Sequence, residues 1–124
     1  MADHTVLVVE DDPVILELLS LNFSMEGFDV RTAEDGEVAL AEVAAQHPDV
    51  IVMDIMMPKI TGLEAVARLK ADDATAGIPI ILLSAKAQSS DVQAGLDAGA
   101  DDYVTKPFEP SDLVDRVERL LTPR

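Results

Sequence analysis

The stretch DVIVMDIMMP, residues Asp49–Pro58, decides the fold because it joins a continuous apolar run to a single carboxylate, Asp54. A run without alternation between apolar and polar residues is typical of a parallel strand that helices cover on both faces. The stretch VVEDDPV, Val8–Val14, repeats the arrangement, with acids directly after its apolar residues. Carboxylates are costly to bury and repel one another, so their place at the ends of two apolar runs needs an explanation.

Three further runs rich in β-branched residues extend this pattern along the chain. The predicted strands are Thr5–Val9, Asp29–Ala33, Asp49–Asp54, Ile78–Ser84 and Asp102–Thr105. Apolar residues at helical spacing predict a helix after each strand, over residues 13–27, 35–48, 61–73, 89–100 and 109–121. The alternation of strand and helix predicts an α/β fold, a doubly wound five-stranded parallel sheet with helices on both faces.

Residues with special backbone roles mark the helix ends. Pro13 is suited to a first turn, and Gly27 and Gly99 are suited to helix stops. Hydroxyl and carboxylate side chains are the preferred N-caps. We therefore expect Ser89 or Ser90 to cap the fourth helix and a Ser or Asp of the segment 109–112 to cap the fifth.

Composition indicates one globular domain with an acidic surface. The 124 residues include 24 Asp and Glu against 9 Lys and Arg, a net charge of −15, and no cysteine. We expect a single domain over residues 1–124, with no disulfide and a cytoplasmic location. The negative surface repels phosphates and anionic lipids, which argues against direct nucleic acid binding by this domain. No segment is long enough to span a membrane, so we expect no membrane partner.

The predicted topology explains the acids, because the working crevice of such folds lies outside the carboxyl ends of the strands. If the first, third, fourth and fifth strands are neighbours, their ends converge on one rim. The polar residues at these ends are Asp11, Asp12, Asp54, Ser84 and Lys106.

Three clustered carboxylates need a counter-charge, and a hard divalent cation such as Mg²⁺ (or Mn²⁺) prefers oxygen ligands. Beside a cation, Lys106 and the Ser84 hydroxyl, Asp54 would be placed to attack phosphorus. Taken singly, an acidic cluster is more often a solvated loop or a helix N-cap. The coincidence of polar groups at four separate strand ends favours a phosphoryl-transfer site.

The segments VVEDDP, VMDIMMPKITG, LLSA and GADDYVTKPF together closely resemble the receiver domain of bacterial two-component response regulators, the CheY-like superfamily. The resemblance covers essentially the whole chain. It implies a flavodoxin-like (βα)5 fold with strand order 2-1-3-4-5. It also implies a phosphorylation-dependent signalling switch rather than an enzyme, with slow self-dephosphorylation.

The resemblance assigns roles around the acids. Asp54 matches the aspartate that accepts a phosphoryl group from the phosphohistidine of a sensor histidine kinase or phosphotransfer protein, forming 4-aspartylphosphate. Asp11 and Asp12 match the acidic pair that holds Mg²⁺, with Asp12 as the direct ligand. The backbone carbonyl of Met56 matches the remaining protein ligand.

Other matches concern the response to phosphorylation. Ser84 and Lys106 match the residues that bind the phosphoryl group, and Tyr103 matches the switch aromatic that turns inward. Met56 and Lys86 occupy the two positions that flank the approach of the hydrolytic water, and neither can activate it.

The resemblance also implies partners. A conformational change of the face formed by the fourth helix, fifth strand and fifth helix would control a downstream effector or output domain. Asp102 and Arg116 match an ion pair across a homodimer of receivers that use this face.

Four other functions compete with the switch. Flavodoxin-like nucleotide binding requires a Ser/Thr/Gly-rich loop where this chain has EDDPV. An aspartate-nucleophile phosphatase would require a second acid where Met56 stands. A histidine phosphotransfer module would require an exposed histidine on a helical bundle, which neither His4 nor His47 fits. A non-phosphorylated pseudo-receiver would be a pure interaction module.

Overall fold

The computed structural model describes residues 4–86 and 88–121, in which strands and helices alternate. The strands are β1 (Thr5–Val9), β2 (Asp29–Ala33), β3 (Val50–Asp54), β4 (Ile80–Ser84) and β5 (Asp102–Thr105). The helices are α1 (Pro13–Met25), α2 (Gly36–Ala45), α3 (Gly62–Ala71), α4 (Ser89–Ala98) and α5 (Pro110–Leu121).

The strands form one parallel sheet in the order β2-β1-β3-β4-β5, which confirms the predicted fold class and strand order. β1 and β3 are neighbours, and Val9 pairs with Met53 one residue before Asp54. Ser84 pairs with Thr105 at the corresponding end of β4 and β5. The carboxyl ends of β1, β3, β4 and β5 therefore lie side by side.

The sheet has an apolar layer on each face, as the uninterrupted apolar runs predict. In β1, Leu7 and Val9 contribute to the layer under α2, α3 and α4, whereas Val6 and Val8 contribute to the layer under α1 and α5. Every residue of β3 and β4 is buried. Burial on both faces fixes the register, because a slip by one residue would exchange the two layers.

Two predicted strands are shorter than expected. β3 begins at Val50, and the Asp49 carboxylate accepts a hydrogen bond from the Thr5 amide at 2.6 Å. β4 begins at Ile80, directly after Pro79, which has no amide hydrogen to donate to a ladder.

The predicted N-caps of the last two helices are wrong. The N-cap of α4 is Gln88, which makes no side-chain capping bond, so Ser89 and Ser90 lie inside the first turn. α5 begins at Pro110, whose fixed φ suits a first helical position, and this places Ser111 and Asp112 within the helix.

Candidate functional site

Three carboxylates meet at the carboxyl end of the sheet. Oxygens of Glu10, Asp11 and Asp54 all lie within 4.8 Å of one another. Glu10 and Asp54 are almost fully buried, at 1% and 4% exposure, whereas Asp11 is exposed. The cluster therefore has a buried base and an open side, and its hard oxygen donors fit a divalent cation.

Asp12 does not belong to this cluster, contrary to the sequence-based assignment of the acidic pair. Its carboxylate accepts a hydrogen bond from the Val14 amide at 2.9 Å and caps α1. Glu10 takes the place in the cluster that was predicted for Asp12. The signal was present in the sequence, because an Asp directly before a first-turn proline, here Pro13, is a strong N-cap candidate.

Lys106 is brought to the acids by the pairing of β4 with β5. Its ammonium lies 3.2 Å from an Asp54 oxygen and 3.2 Å from a Glu10 oxygen. Its backbone amide donates to the Ser84 carbonyl at 2.8 Å, which fixes the start of the side chain. The Lys106 ammonium thus bridges two buried carboxylates, of which only Asp54 was predicted from the sequence to lie at this rim.

Burial dominates the electrostatics of this group. It raises the pKa of Asp54 despite the opposing charge of Lys106, and the exposed Asp11 charge adds to the rise. Burial likewise raises the pKa of Glu10, and the Asp54 charge reinforces it. The pKa of Lys106 is also raised, because the two carboxylates outweigh the cost of burying its ammonium. When ionised, three carboxylates beside one ammonium leave a net negative charge at this end of the sheet, which attracts a further cation.

Ser84 lies beside the cluster and is linked to Tyr103 through Lys86. The Ser84 hydroxyl accepts from the Lys86 amide at 3.1 Å, and the Tyr103 hydroxyl donates to the Lys86 carbonyl at 2.8 Å. The Tyr103 ring is buried against α4, where a Cβ at Gly95 would come within 2.8 Å of its Cδ2 atom. Hydrogen bonds thus link Ser84 to Tyr103 on β5, and the Tyr103 ring packs against α4.

Met56 and Lys86 lie on the solvent side of the site. Met56 is 58% exposed, and Lys86 is exposed as well. Together with Tyr103 they line a cleft of about 170 Å³ between the β3–α3 loop and α4. The cleft brings the predicted dephosphorylation-tuning residues and the predicted switch aromatic into one place.

Asp102 and Arg116 form an ion pair within the chain. The Arg116 guanidinium donates to both Asp102 oxygens, at 2.9 and 3.1 Å, and to Asp112 at 3.0 Å. These contacts raise the pKa of Arg116, first through the bond to Asp102. The residues predicted to pair across a dimer therefore already contact each other in one copy.

Comparison with known proteins gives a consistent result. A sequence model described as the response regulator receiver domain matches residues 6–118. The DNA-binding dual master transcriptional regulator RpaA of Synechocystis is 43% identical over 94% of this chain and 48% of its own length. The probable transcriptional regulatory protein TcrX of Mycobacterium tuberculosis is 45% identical over 94% of this chain and 49% of its own length.

Solved structures agree with the sequence relatives. A putative response regulator from Chloroflexus aurantiacus superposes with a TM-score of 0.91 at 40% identity, covering 95% of this chain and 97% of that one. The chain spans about half the length of the curated relatives it matches. Within residues 4–86 and 88–121, no helix has the length and apolar character needed to cross a membrane.

The family match decides between the competing functions. Receiver domains bind Mg²⁺ at an acidic pocket, and the cluster of Glu10, Asp11 and Asp54 lies at the corresponding end of the sheet. The match favours the switch over a phosphatase, a nucleotide-binding protein, a histidine phosphotransfer module and a pure interaction module. The chain therefore belongs to the response regulator receiver domains, the phosphoryl-accepting signalling switches of two-component systems.

Proposed function

We propose that Asp54 is the phosphoacceptor of this switch. The observation that carries the proposal is its position: Asp54 ends β3, the central strand of the sheet, lies 3.2 Å from the Lys106 ammonium and shares a cluster with Glu10 and Asp11. Its carboxylate would attack the phosphorus of a phosphohistidine, and the P–N bond would break with its electron pair passing to the imidazole. Lys106 would neutralise charge on the phosphoryl oxygens in flight.

Glu10, Asp11 and Asp54 are the side chains proposed to hold Mg²⁺ (or Mn²⁺), with the Met56 carbonyl as a further ligand. The exposed Asp11 is the natural direct ligand, because Glu10 is already bound by Lys106. When bound, the cation would balance charge on the transferred group. Asp12 is assigned to the helix cap rather than to the cation.

The response is proposed to travel through Ser84. Its hydroxyl would turn toward the phosphoryl oxygens and release the Lys86 amide, from which it now accepts a hydrogen bond. Because the Lys86 carbonyl holds the Tyr103 hydroxyl, the change would reach α4 and β5. The proposed bistable element is therefore the loop from Ser84 to Lys86 together with the start of α4.

A surface next to the site suits the phosphodonor. α1 starts immediately after the acids. Its exposed apolar side chains are spaced four, three and four residues apart and therefore lie on one face of the helix; they are Val14, Leu18, Leu21 and Met25. A long apolar face of this kind fits a partner helix. We propose that the helix carrying the phosphohistidine of a sensor kinase or phosphotransfer protein binds there.

The output is proposed to lie with a further partner. RpaA and TcrX, which are about twice as long as this chain, are both named as transcriptional regulators. An output domain or a separate effector is therefore proposed to bind the surface of α4, β5 and α5. A homodimer through this face would have to share or break the Asp102–Arg116 pair.

Intact-mass measurement tests the phosphoacceptor. The chain is incubated with phosphoramidate and Mg²⁺, with EDTA as a control. One phosphoryl adduct is expected in the wild type, and none in Asp54→Asn or in EDTA. An equal adduct in Asp54→Asn would place the phosphoryl group on another residue.

A further inference from the structure

Lys59, in the β3–α3 loop, has a left-handed backbone with φ of 70°, which lysine rarely adopts. The loop segment from residue 55 to residue 61 follows Asp54 directly and contains Met56. Glycine would adopt this φ without strain. Strained positions persist only where surrounding contacts hold them, and they occur often at functional sites. The side chain of Lys59 is therefore expected to make a contact that glycine could not.

That contact is an ion pair with the β2–α2 loop. The Lys59 ammonium lies 3.4 Å from an Asp35 oxygen. The other Asp35 oxygen accepts from the Val38 amide and caps α2. Asp35 is thus fixed on a helix, whereas Lys59 is 55% exposed on a loop. A largely exposed pair of this kind adds little to overall stability.

Backbone contacts on both sides of Lys59 hold the β3–α3 loop in place. A Cβ on Gly36 would lie 2.5 Å from the Ile60 carbonyl oxygen, so the first residue of α2 touches the β3–α3 loop backbone to backbone. On the other side, the Gly62 amide donates to the Ile55 carbonyl at 2.9 Å. A shift of Lys59 would therefore move the short stretch that contains Met56.

We propose that Lys59 is a positioning residue for the cation site: its pair with Asp35 holds the β3–α3 loop so that the Met56 carbonyl faces the cation. This inference rests on the proposed cation site and on the proposed role of that carbonyl. Neither Lys59 nor Asp35 contributes an atom to the acidic cluster of Glu10, Asp11 and Asp54. Their effect on cation binding would act through loop geometry.

Charge and geometry predict opposite results for one variant, which makes the proposal testable. By charge alone, Lys59→Gly removes a positive charge near the site and would strengthen cation binding, whereas Asp35→Asn would weaken it. If the Lys59–Asp35 pair instead acts by holding the β3–α3 loop, both substitutions weaken cation binding. Because an exposed ion pair is weak, its loss is expected to lower the affinity for the cation only about threefold.

The experiment titrates Mn²⁺ into the chain and follows the paramagnetic resonance of the free ion, since the chain has no tryptophan for fluorescence. Lys59→Gly and Asp35→Asn are each expected to bind about threefold more weakly than the wild type, and the double variant no more weakly than either single one. Lys59→Arg, which keeps the charge, is expected to retain wild-type affinity.

Melting and amide exchange without metal separate positioning from folding. Lys59→Gly is expected to melt at or above the wild-type temperature, because glycine relieves the strained φ. Amide exchange over residues 55–61 is nevertheless expected to speed up. Stronger or unchanged Mn²⁺ binding by Lys59→Gly would overturn the proposed positioning role of Lys59. Additive losses of affinity in the double variant would overturn it as well. Absence of Mn²⁺ binding by the wild type would instead overturn the proposed cation site.

Discussion

At the scale of single residues, the neighbouring acids Asp11 and Asp12 have different roles, and mutation separates them. We predict that Asp12→Ala lowers the stability of the chain by about 1 kcal/mol, because it removes the cap of α1. Asp12→Asn should cost little, since asparagine caps equally well. Asp11→Asn should leave the melting temperature unreduced and weaken Mn²⁺ binding about tenfold or more. Equal loss of Mn²⁺ binding in Asp12→Asn and Asp11→Asn would contradict the assignment.

The raised pKa of Asp54 predicts a pH-dependent instability of the metal-free chain. The folded state keeps the Asp54 proton to higher pH than the unfolded state does, so stability falls as pH rises from the ordinary carboxyl range, near 3.8, through the folded pKa. We predict that Asp54→Asn raises the melting temperature at pH 7 by about 3–5 °C, and that the difference shrinks toward pH 4. Asp73→Asn, at an exposed acid outside the site, is the matched control. A difference that persists unchanged at pH 4 would contradict this cause.

Met56 and Lys86 predict a long-lived acyl phosphate. They line the same cleft beside the site, and neither side chain can accept a proton from water while Lys86 is charged. We expect that Met56→Asn combined with Lys86→Glu speeds phosphate loss about tenfold or more, because a general base then faces the water. The decay of the phosphorylated species, followed by intact mass, measures this. A wild-type lifetime of seconds, or one unchanged by the double substitution, would refute the shielding.

At the scale of elements, the loop from Ser84 to Lys86 is proposed to couple the site to α4. Beryllofluoride with Mg²⁺ should change amide exchange in this loop and at the start of α4. Ser84→Ala should suppress the change, because the hydroxyl that moves is absent. Tyr103→Phe, which removes the bond to the Lys86 carbonyl, should confine the change to the loop. If the wild type changes only around Asp54, the signal does not travel by this route.

The exposed apolar face of α1 predicts where a kinase binds. Leu18 on α1 and Val38 on α2 have the same exposure, 43%, which makes them a matched pair for substitution by glutamate. We expect Leu18→Glu to slow transfer from a phosphohistidine donor about tenfold or more and Val38→Glu to have little effect. Neither change should alter phosphorylation by phosphoramidate, which needs no protein contact. Equal rates from the protein donor in both variants would remove α1 from the proposed interface.

At the scale of the whole molecule, the fold was predictable because its signals were redundant. Continuous apolar strands, helical periodicity and strict alternation all indicated the same doubly wound sheet, and the sheet alone brings Asp54, Ser84 and Lys106 together.

The failures were local, where several residues of one type compete for a role. Three consecutive acids could each cap α1 or face the cluster, and only the path of the chain after Val9 turns Glu10 inward. The N-caps of α4 and α5 failed for a similar reason, because two serines and an aspartate compete at the start of α4, and a proline, a serine and an aspartate compete at the start of α5.

The most direct test of the central claim locates the phosphoryl group itself. The chain is phosphorylated with phosphoramidate and Mg²⁺, reduced with borohydride, digested and sequenced by mass spectrometry. Reduction converts an aspartyl phosphate to homoserine and leaves free carboxylates intact. We predict homoserine at position 54 alone, and none when Mg²⁺ is replaced by EDTA. Reduction at position 11 or 12, or a reduced residue derived from Glu10, would contradict the assignment of Asp54 as the phosphoacceptor and of its neighbours as cation ligands.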